Sequence, residues 1–352
     1  MKPFLAALLI TVGLALAAGS WLWLSSGGEP VTVIVPRGAS NSAVAEILAK
    51  NGIVSTPVAL RTLLRVTGGA QRVRAGEFRF RLGMAPLRAL SVLYYGEPIL
   101  RTVTVPEGWT VRQIARAVAD AGLGSEQKIL ALTLKPEAAA RYKLHAPSLE
   151  GFLFPDTYRF SRIDGEERIV DKMVSEFFRR FDKSLQDEAA KLGFTTESLA
   201  TLASIIEKET GASGERELIA SVFHNRLKKG MRLQSDPTTI YGIPNFNGNL
   251  TRADLLRPTA YNTYTIKALP PGPIASPGLP ALTAALRPAN TRYLYFVANN
   301  RGGHVFSETY AEHDANVDLH QRKRKPDAAR GPGSAPRDRV PARAPSKPGG
   351  RR

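Results

Sequence analysis

The sequence predicts an α+β protein, and three features of it carry that prediction. A strand–turn–helix pattern occurs twice, long amphipathic helices follow it, and an aromatic strand with a glycine turn closes the patterned region. At 352 residues with 43% hydrophobic content, the chain has material for two domains or so with real cores. The net charge of +17 imitates a nucleic-acid binder, but residues 322–352 hold eleven Lys and Arg against Asp327 and Asp338, just over half of the excess. The rest is spread thinly, so no specific nucleic-acid partner is expected. Cysteine is absent, which excludes disulfides and thiolate metal sites. Among the five histidines only His313 and His320 lie close together, next to the polar tail, so neither a metal nor a cofactor is expected.

Phe4 to Leu24 is an almost unbroken apolar run of bilayer-spanning length, preceded by Lys2 and ending in the interfacial aromatics Trp21 and Trp23. A cleavable signal peptide, cut after Ala15-Leu16-Ala17, is the rival reading. The run stays apolar past that point, which favours an uncleaved anchor over residues 1–28 with the remaining chain outside the cytoplasm.

The repeat follows. Val33-Ile34-Val35-Pro36-Arg37-Gly38 leads into Val44-Ala45, Leu48-Ala49 and Gly52-Ile53; Val103-Thr104-Val105-Pro106-Glu107-Gly108 leads into Ile114-Ala115, Val118-Ala119 and Gly122-Leu123. Each copy reads as a strand, a tight Pro-x-Gly turn and an amphipathic helix ending at glycine. Ala75–Phe80 and Leu87–Tyr95 add a strand and a helix between them, giving one small α+β domain over residues 29–125. Nothing in it resembles catalytic chemistry, and a plain spacer is the alternative.

A second domain is expected over residues 126–320. Ser125–Arg141 is helix-like, Leu149–Tyr158 breaks the pattern with aromatics and glycine, and Glu166–Ala190 reads as one long helix with Phe177, Phe178 and Phe181 inward. Leu199–Gly211 is then a short, apolar helix capped by Thr195 or Thr196 and ending in two carboxylates. At roughly 100° per residue, Leu202, Ile205, Ile206 and Glu209 share one face, and Ala200, Ala203, Ser204 and Glu207 share a face of small side chains. A carboxylate on that second face can be approached closely; packing there would strip water from Glu207 and favour the acid form that proton donation needs. The pattern alone equally allows a solvated Glu-Lys-Glu helix end.

The next helix starts near Ser213 and ends at Lys228-Lys229-Gly230, with Asn225 as a polar member of its apolar side. That amide is either a structural clamp or a ligand contact. Three segments, Met231–Gly242, Tyr261–Tyr264 and Leu269–Gly278, are dense in amides, hydroxyls, aromatic rings and rigid turns, the materials of a carbohydrate groove or of plain connectors. Tyr293–Ala298 is a strand that hairpins through Asn299–Gly303. Residues 321–352, basic with six prolines and four glycines, are expected to be disordered.

Read together, Ala203-Ser-Ile-Ile-Glu207-Lys-Glu-Thr210, Val222-Phe-His-Asn225-Arg-Leu227, Leu233-Gln-Ser-Asp236-Pro-Thr238, Tyr261-Asn262-Thr-Tyr264 and Leu269-Pro-Pro-Gly-Pro-Ile274 strongly resemble the MltG (YceG-like) family of endolytic murein transglycosylases. The resemblance covers roughly residues 4 to 320, in the family's motif order. It implies a membrane anchor, a small LysM-like α+β domain containing the repeat, and a mixed helical and β catalytic domain distantly similar to lysozyme. It further implies Glu207 as the catalytic acid, with Glu209 as fallback, and groove contacts from Asn225, Gln234, Asp236, Tyr261, Asn262 and Tyr264. The implied reaction cleaves the MurNAc–GlcNAc β-1,4 bond of peptidoglycan glycan strands without water and leaves a 1,6-anhydro end, with cell-wall synthases as possible companions. Two rivals stand beside it: a muramidase that pairs Glu207 with Asp236 to admit water, and a non-catalytic wall-binding scaffold. The basic tail is unexplained by the resemblance.

Overall fold

The computed structural model describes residues 28–322; the expected anchor, up to Gly27, and the expected disordered tail, from Lys323, lie outside the described residues. The chain is a mixed α+β structure with three two-stranded antiparallel sheets among the described residues. Among those residues no helix is long and apolar enough to cross a membrane. The described residues fall into two compact units, 28–292 and 293–322.

The repeat is built as its sequence pattern requires. In the first copy, strand β1 (Pro30–Val35) leads to helix α1 (Asn41–Lys50), with Ser40 accepting a hydrogen bond from the Ala43 N–H at 3.2 Å. In the second, β3 (Arg101–Thr104) leads to α4 (Val111–Asp120), where Thr110 and Gln113 form a capping box. Equivalent positions are buried in both copies: Val33 and Val103, Val35 and Val105, Val44 and Ile114, Leu48 and Val118, Ile53 and Leu123. Gly38 and Gly108 take φ +70° and +75° in the turns, and Gly52 and Gly122 take +70° and +67° after the helices. Only glycine adopts that backbone cheaply, so the repeat is punctuated by it.

Each copy is longer than its sequence signature. β1 and α1 continue through α2 (Pro57–Val66) to β2 (Gly76–Arg81), which pairs antiparallel with β1 so that Val33 lies opposite Phe78. Helix α3 (Pro86–Tyr95) completes a core running from Val33 to Tyr94. β3 and α4 continue through α5 (Glu126–Thr133) to β4 (Thr157–Phe160), where Val103 lies opposite Tyr158. The expected small domain over 29–125 is therefore not closed at residue 125. Its third strand, β3, finds its partner in the aromatic segment beyond it, since an unpaired strand would leave backbone groups unsatisfied.

The expected single helix over Glu166–Ala190 is two, α6 (Gly165–Arg180) and α7 (Lys183–Lys191). Phe181 turns into the core and Asp182 caps the second helix by accepting from the Leu185 N–H at 3.1 Å, which starts a new axis. Helices α8 (Thr196–Glu209) and α9 (Arg216–Lys228) follow. A short helix α10 (Asp236–Tyr241) and helix α11 (Leu279–Leu286) occupy stretches with no helical expectation. The second unit holds the hairpin, strands β5 (Tyr295–Ala298) and β6 (His304–Ser307), and helix α12 (Tyr310–Val317), whose His313 ring stacks on Tyr295 at 5.1 Å.

Candidate active site

Helix α8 carries the site at its C-terminal end. Thr195 caps it in a box with Ser198, and Leu199 through Ile206 are all buried. The face of small residues is not open as its composition suggests. Ser204 Oγ accepts the Ile274 N–H at 3.0 Å, so the Pro-rich segment before α11 packs along it. The helix is thus enclosed on both faces until its last turn, where the carboxylates emerge.

Glu207 has a side chain only 7% exposed. One carboxylate oxygen accepts the Gly278 N–H at 3.1 Å, and the other lies 3.4 Å from Arg216 Nη2. The same Nη2 is 3.4 Å from the Glu107 carboxylate, so one guanidinium nitrogen lies between two glutamates. Glu107 belongs to the Pro-x-Gly turn of the second repeat copy. That turn is held against the Pro-rich segment by two backbone bonds, Gly108 N–H to Ser276 O at 2.8 Å and Ser276 N–H to Trp109 O at 2.7 Å. Lys208 Nζ adds a contact to Gly108 O at 3.4 Å. Burial, then the neighbouring Glu207 carboxylate, raise the Glu107 pKa above the ordinary carboxylate value, with Arg216 opposing them. Arg216 Nε is buried without a hydrogen-bond partner among the described residues, a donor with unspent capacity beside Glu207.

Glu209, the fallback acid, points elsewhere: Ser235 Oγ donates to it at 2.6 Å. Beside Ser235, Asp236 starts α10 and accepts the Tyr264 hydroxyl at 2.6 Å, and Gln234 takes a left-handed φ of +55°. Gln234 receives Arg226 Nη1 on its side-chain oxygen at 3.2 Å and donates its N–H to Thr263 O at 3.2 Å. Left-handed backbone in a non-glycine residue is costly and marks a loop fixed by its surroundings. Gln234, Asp236 and Tyr264 therefore gather in one polar cluster around Ser235. Tyr261 packs instead on Tyr241 with ring centroids 4.8 Å apart.

Of the two readings of Asn225, the clamp has a contact in the structure: its Nδ2 donates to Thr291 O at 3.0 Å. Asn262 departs further from the expectation of a groove contact. It is 0% exposed, its Nδ2 donates to the Asp254, Leu255 and Arg257 carbonyls, and its Oδ1 accepts from Thr239 and from the Tyr264 N–H. An amide spent in this way holds the loop and has nothing left for a ligand.

Sequence reasoning missed Glu107, Arg216, Gly278 and Glu150. Glu150 is 2% exposed, accepts the Val111 N–H at 2.9 Å and the Tyr241 hydroxyl at 3.2 Å, and is pushed up to about 7 by burial. A signal for Glu107 was present: in the Pro-x-Gly turns of the two copies Arg37 stands where Glu107 does, an exchange of charge sign, and Arg37 pairs with Asp164 at 2.6 Å.

A carboxylate largely withdrawn from water at a helix end, with a guanidinium and a second carboxylate beside it, is an arrangement that acid–base chemistry at a glycosidic bond can use. The YceG-like family model matches residues 33–319, and the chain belongs to that family. It is similar to the endolytic murein transglycosylase of Bacillus subtilis (strain 168), at 33% identity over 319 residues, covering 84% of this chain and 88% of that protein. It is similar also to the endolytic murein transglycosylase of Streptococcus pneumoniae serotype 2, at 30% identity over 325 residues, covering 82% of this chain and 58% of that protein. The crystal structure of a yceG-like protein from Listeria monocytogenes matches with a TM-score of 0.56 at 31% identity, covering 82% of this chain and 98% of that one.

Proposed function

We propose that the protein is an endolytic murein transglycosylase with Glu207 as its single acid–base group. The observation that carries this reading is the state of Glu207: 7% exposed, oriented by the Gly278 N–H, at the end of a fully packed helix. In the first step the Glu207 acid gives its proton to the glycosidic oxygen as the bond to muramic C1 breaks. In the second, the muramic C6 hydroxyl attacks C1, and its proton passes to the Glu207 carboxylate. The 1,6-anhydro ring closes, the acid is regenerated, and no water is consumed. The polar cluster of Gln234, Asp236 and Tyr264 offers hydrogen bonds to the sugar rings. The Asp236 carboxylate is engaged by Tyr264, which disfavours the muramidase pairing of Glu207 with Asp236.

In the same reading, Phe4–Leu24 anchors the chain in the cytoplasmic membrane, with the catalytic part outside the cytoplasm among nascent glycan strands and wall synthases, where cleavage ends strand elongation. The repeat-bearing units, which share a strand–helix–helix–strand order, are its LysM-like part. The test is Glu207→Gln on purified, uncrosslinked glycan strands, read by mass spectrometry. Wild type should yield 1,6-anhydro ends and the variant none; hydrated reducing ends from wild type would sink the reading.

A further inference from the structure

We propose that Glu107 is a positioning residue of the reaction centre: by sharing Arg216 with Glu207 it keeps the acid able to hold the proton that the first step donates. The inference rests on the reading of Glu207 as general acid, and it makes the Pro-x-Gly turn of the second repeat copy part of the catalytic machinery.

The problem it answers is electrostatic. A guanidinium against a buried glutamate favours the carboxylate, whereas glycosidic cleavage begins from the acid. Arg216 Nη2 lies 3.4 Å from Glu207, so on its own it opposes the first step. Glu107 lies at the same 3.4 Å from the same nitrogen and adds a like charge on the other side. Two carboxylates on one guanidinium leave neither fully compensated. Once the first proton has gone to the leaving group, Arg216 is still in place to steady the Glu207 carboxylate until it takes the C6 proton.

The structure pairs Arg216 with Glu107 and Glu207; Glu215 and Glu217 flank it in sequence, and on its own helix Arg226 serves Leu233 O and the Gln234 side chain. Lys208, next to Glu207 on α8, reaches Gly108 O, and the segment from Ile274 through Leu286 contains no titratable side chain. On the other elements packed against α8, Glu188 of α7 pairs with Arg287 at 2.8 Å, Asp236 of α10 binds Tyr264 and Tyr241 binds Glu150. The turn itself is fixed by reciprocal backbone bonds from Gly108 and Trp109 to Ser276, so the Glu107 carboxylate is delivered by structure and not by chance. A Cβ on Gly278 would lie 1.8 Å from Glu107 Oε1, so residue 278 must be glycine for Glu107 to stand there.

The experiment is the pH profile of kcat/KM on uncrosslinked glycan strands, using the full chain. In Glu107→Gln the basic limb should move down by ~1 pH unit, the size expected when an opposite charge is left unopposed. At pH values above the limb its activity should fall about tenfold, with KM little changed. Glu107→Asp should recover most of the loss, and the double variant Glu107→Gln with Arg216→Gln should return the limb toward the wild-type position. A Glu107→Gln profile scaled down with its limb unmoved, or a double variant no different from the single one, would overturn the proposal while leaving the general acid in place. Glu207→Gln that stayed active would instead overturn the reading of Glu207 itself.

Discussion

Asn262 separates a structural role from a ligand role with a single substitution. Its amide serves three carbonyls and two donors while fully buried, so Asn262→Ala leaves several polar groups unsatisfied at once. The expected cost is about 2–4 kcal/mol, seen as a drop in the urea midpoint, with KM little changed at temperatures where the variant is folded. A raised KM at unchanged stability would restore the groove-contact role. Glu150 gives the pH counterpart. Burial raises it from 4.5 to about 7, so the folded state holds a proton that the unfolded chain releases earlier. Its stabilising contribution is therefore full below about pH 4.5 and is lost as pH rises to about 7, by roughly 3 kcal/mol. Glu150→Gln cannot ionise, and its unfolding free energy should stay flatter than wild type across that window; parallel curves would refute the assignment. Residue chemistry of this kind is poorly legible in sequence. Both Asn262 and Glu207 were polar marks in sequence, and only tertiary contacts show that the first is spent inside its loop while the second meets Arg216 and the Gly278 N–H at a helix end.

Periodicity fixed α8 and α9 because each carries a long apolar face and a definite start or stop, and Thr195 and Lys229 stand where the pattern asks for caps. The break between α6 and α7 escaped it, since Phe181 and Asp182 fit a continuous helix by composition and differ only through burial and a cap. α10 and α11 escaped it too: each carries a proline as its second residue, Pro237 and Pro280, and proline serves the first turn of a helix as readily as a loop. Glycines mark where these elements meet. Gly151 adopts φ +83° and a Cβ there would lie 2.3 Å from Pro273 Cβ, a rigid neighbour. Gly151→Ala should cost about 2–4 kcal/mol in thermal or urea unfolding, because both the backbone and the clash resist it. Gly278→Ala is different in kind. Its φ is −75°, and the obstructing atoms belong to the Glu107 side chain, which can swing away. That variant should keep the stability of wild type and lose activity in the manner of Glu107→Gln, a comparison that unfolding and kinetic measurements make directly.

At the scale of the whole chain, the repeat was legible in its apolar spacing and its glycines, whereas its partners were not. Nothing in the local pattern of Val103-Thr104-Val105 says that its strand pairs with Thr157–Phe160, because that register is set by contacts across more than fifty residues of chain. The consequence is physical. The core from Val33 to Tyr94 is largely its own, joined to the later chain through contacts such as Arg37–Asp164, Arg101–Glu77 and Ile99 N–H to Glu77 O. The second copy is instead built into the site-bearing part by β3 on β4, by the Val111 N–H on Glu150 and by the turn at Ser276. A chain beginning at residue 97 should therefore retain cooperative unfolding and a folded site. A chain beginning at residue 126, the boundary that composition suggests, loses β3, α4 and Glu107 together. It strips the strand partner from Tyr158 and Phe160, which are 5% and 4% exposed in the intact chain. Exposing those rings and the freed strand edge should produce a poorly soluble, non-cooperative product with no measurable cleavage. Circular dichroism melts and glycan digestion of the two fragments decide the matter: a well-folded, active chain from residue 126 would show that the second copy is an appendage.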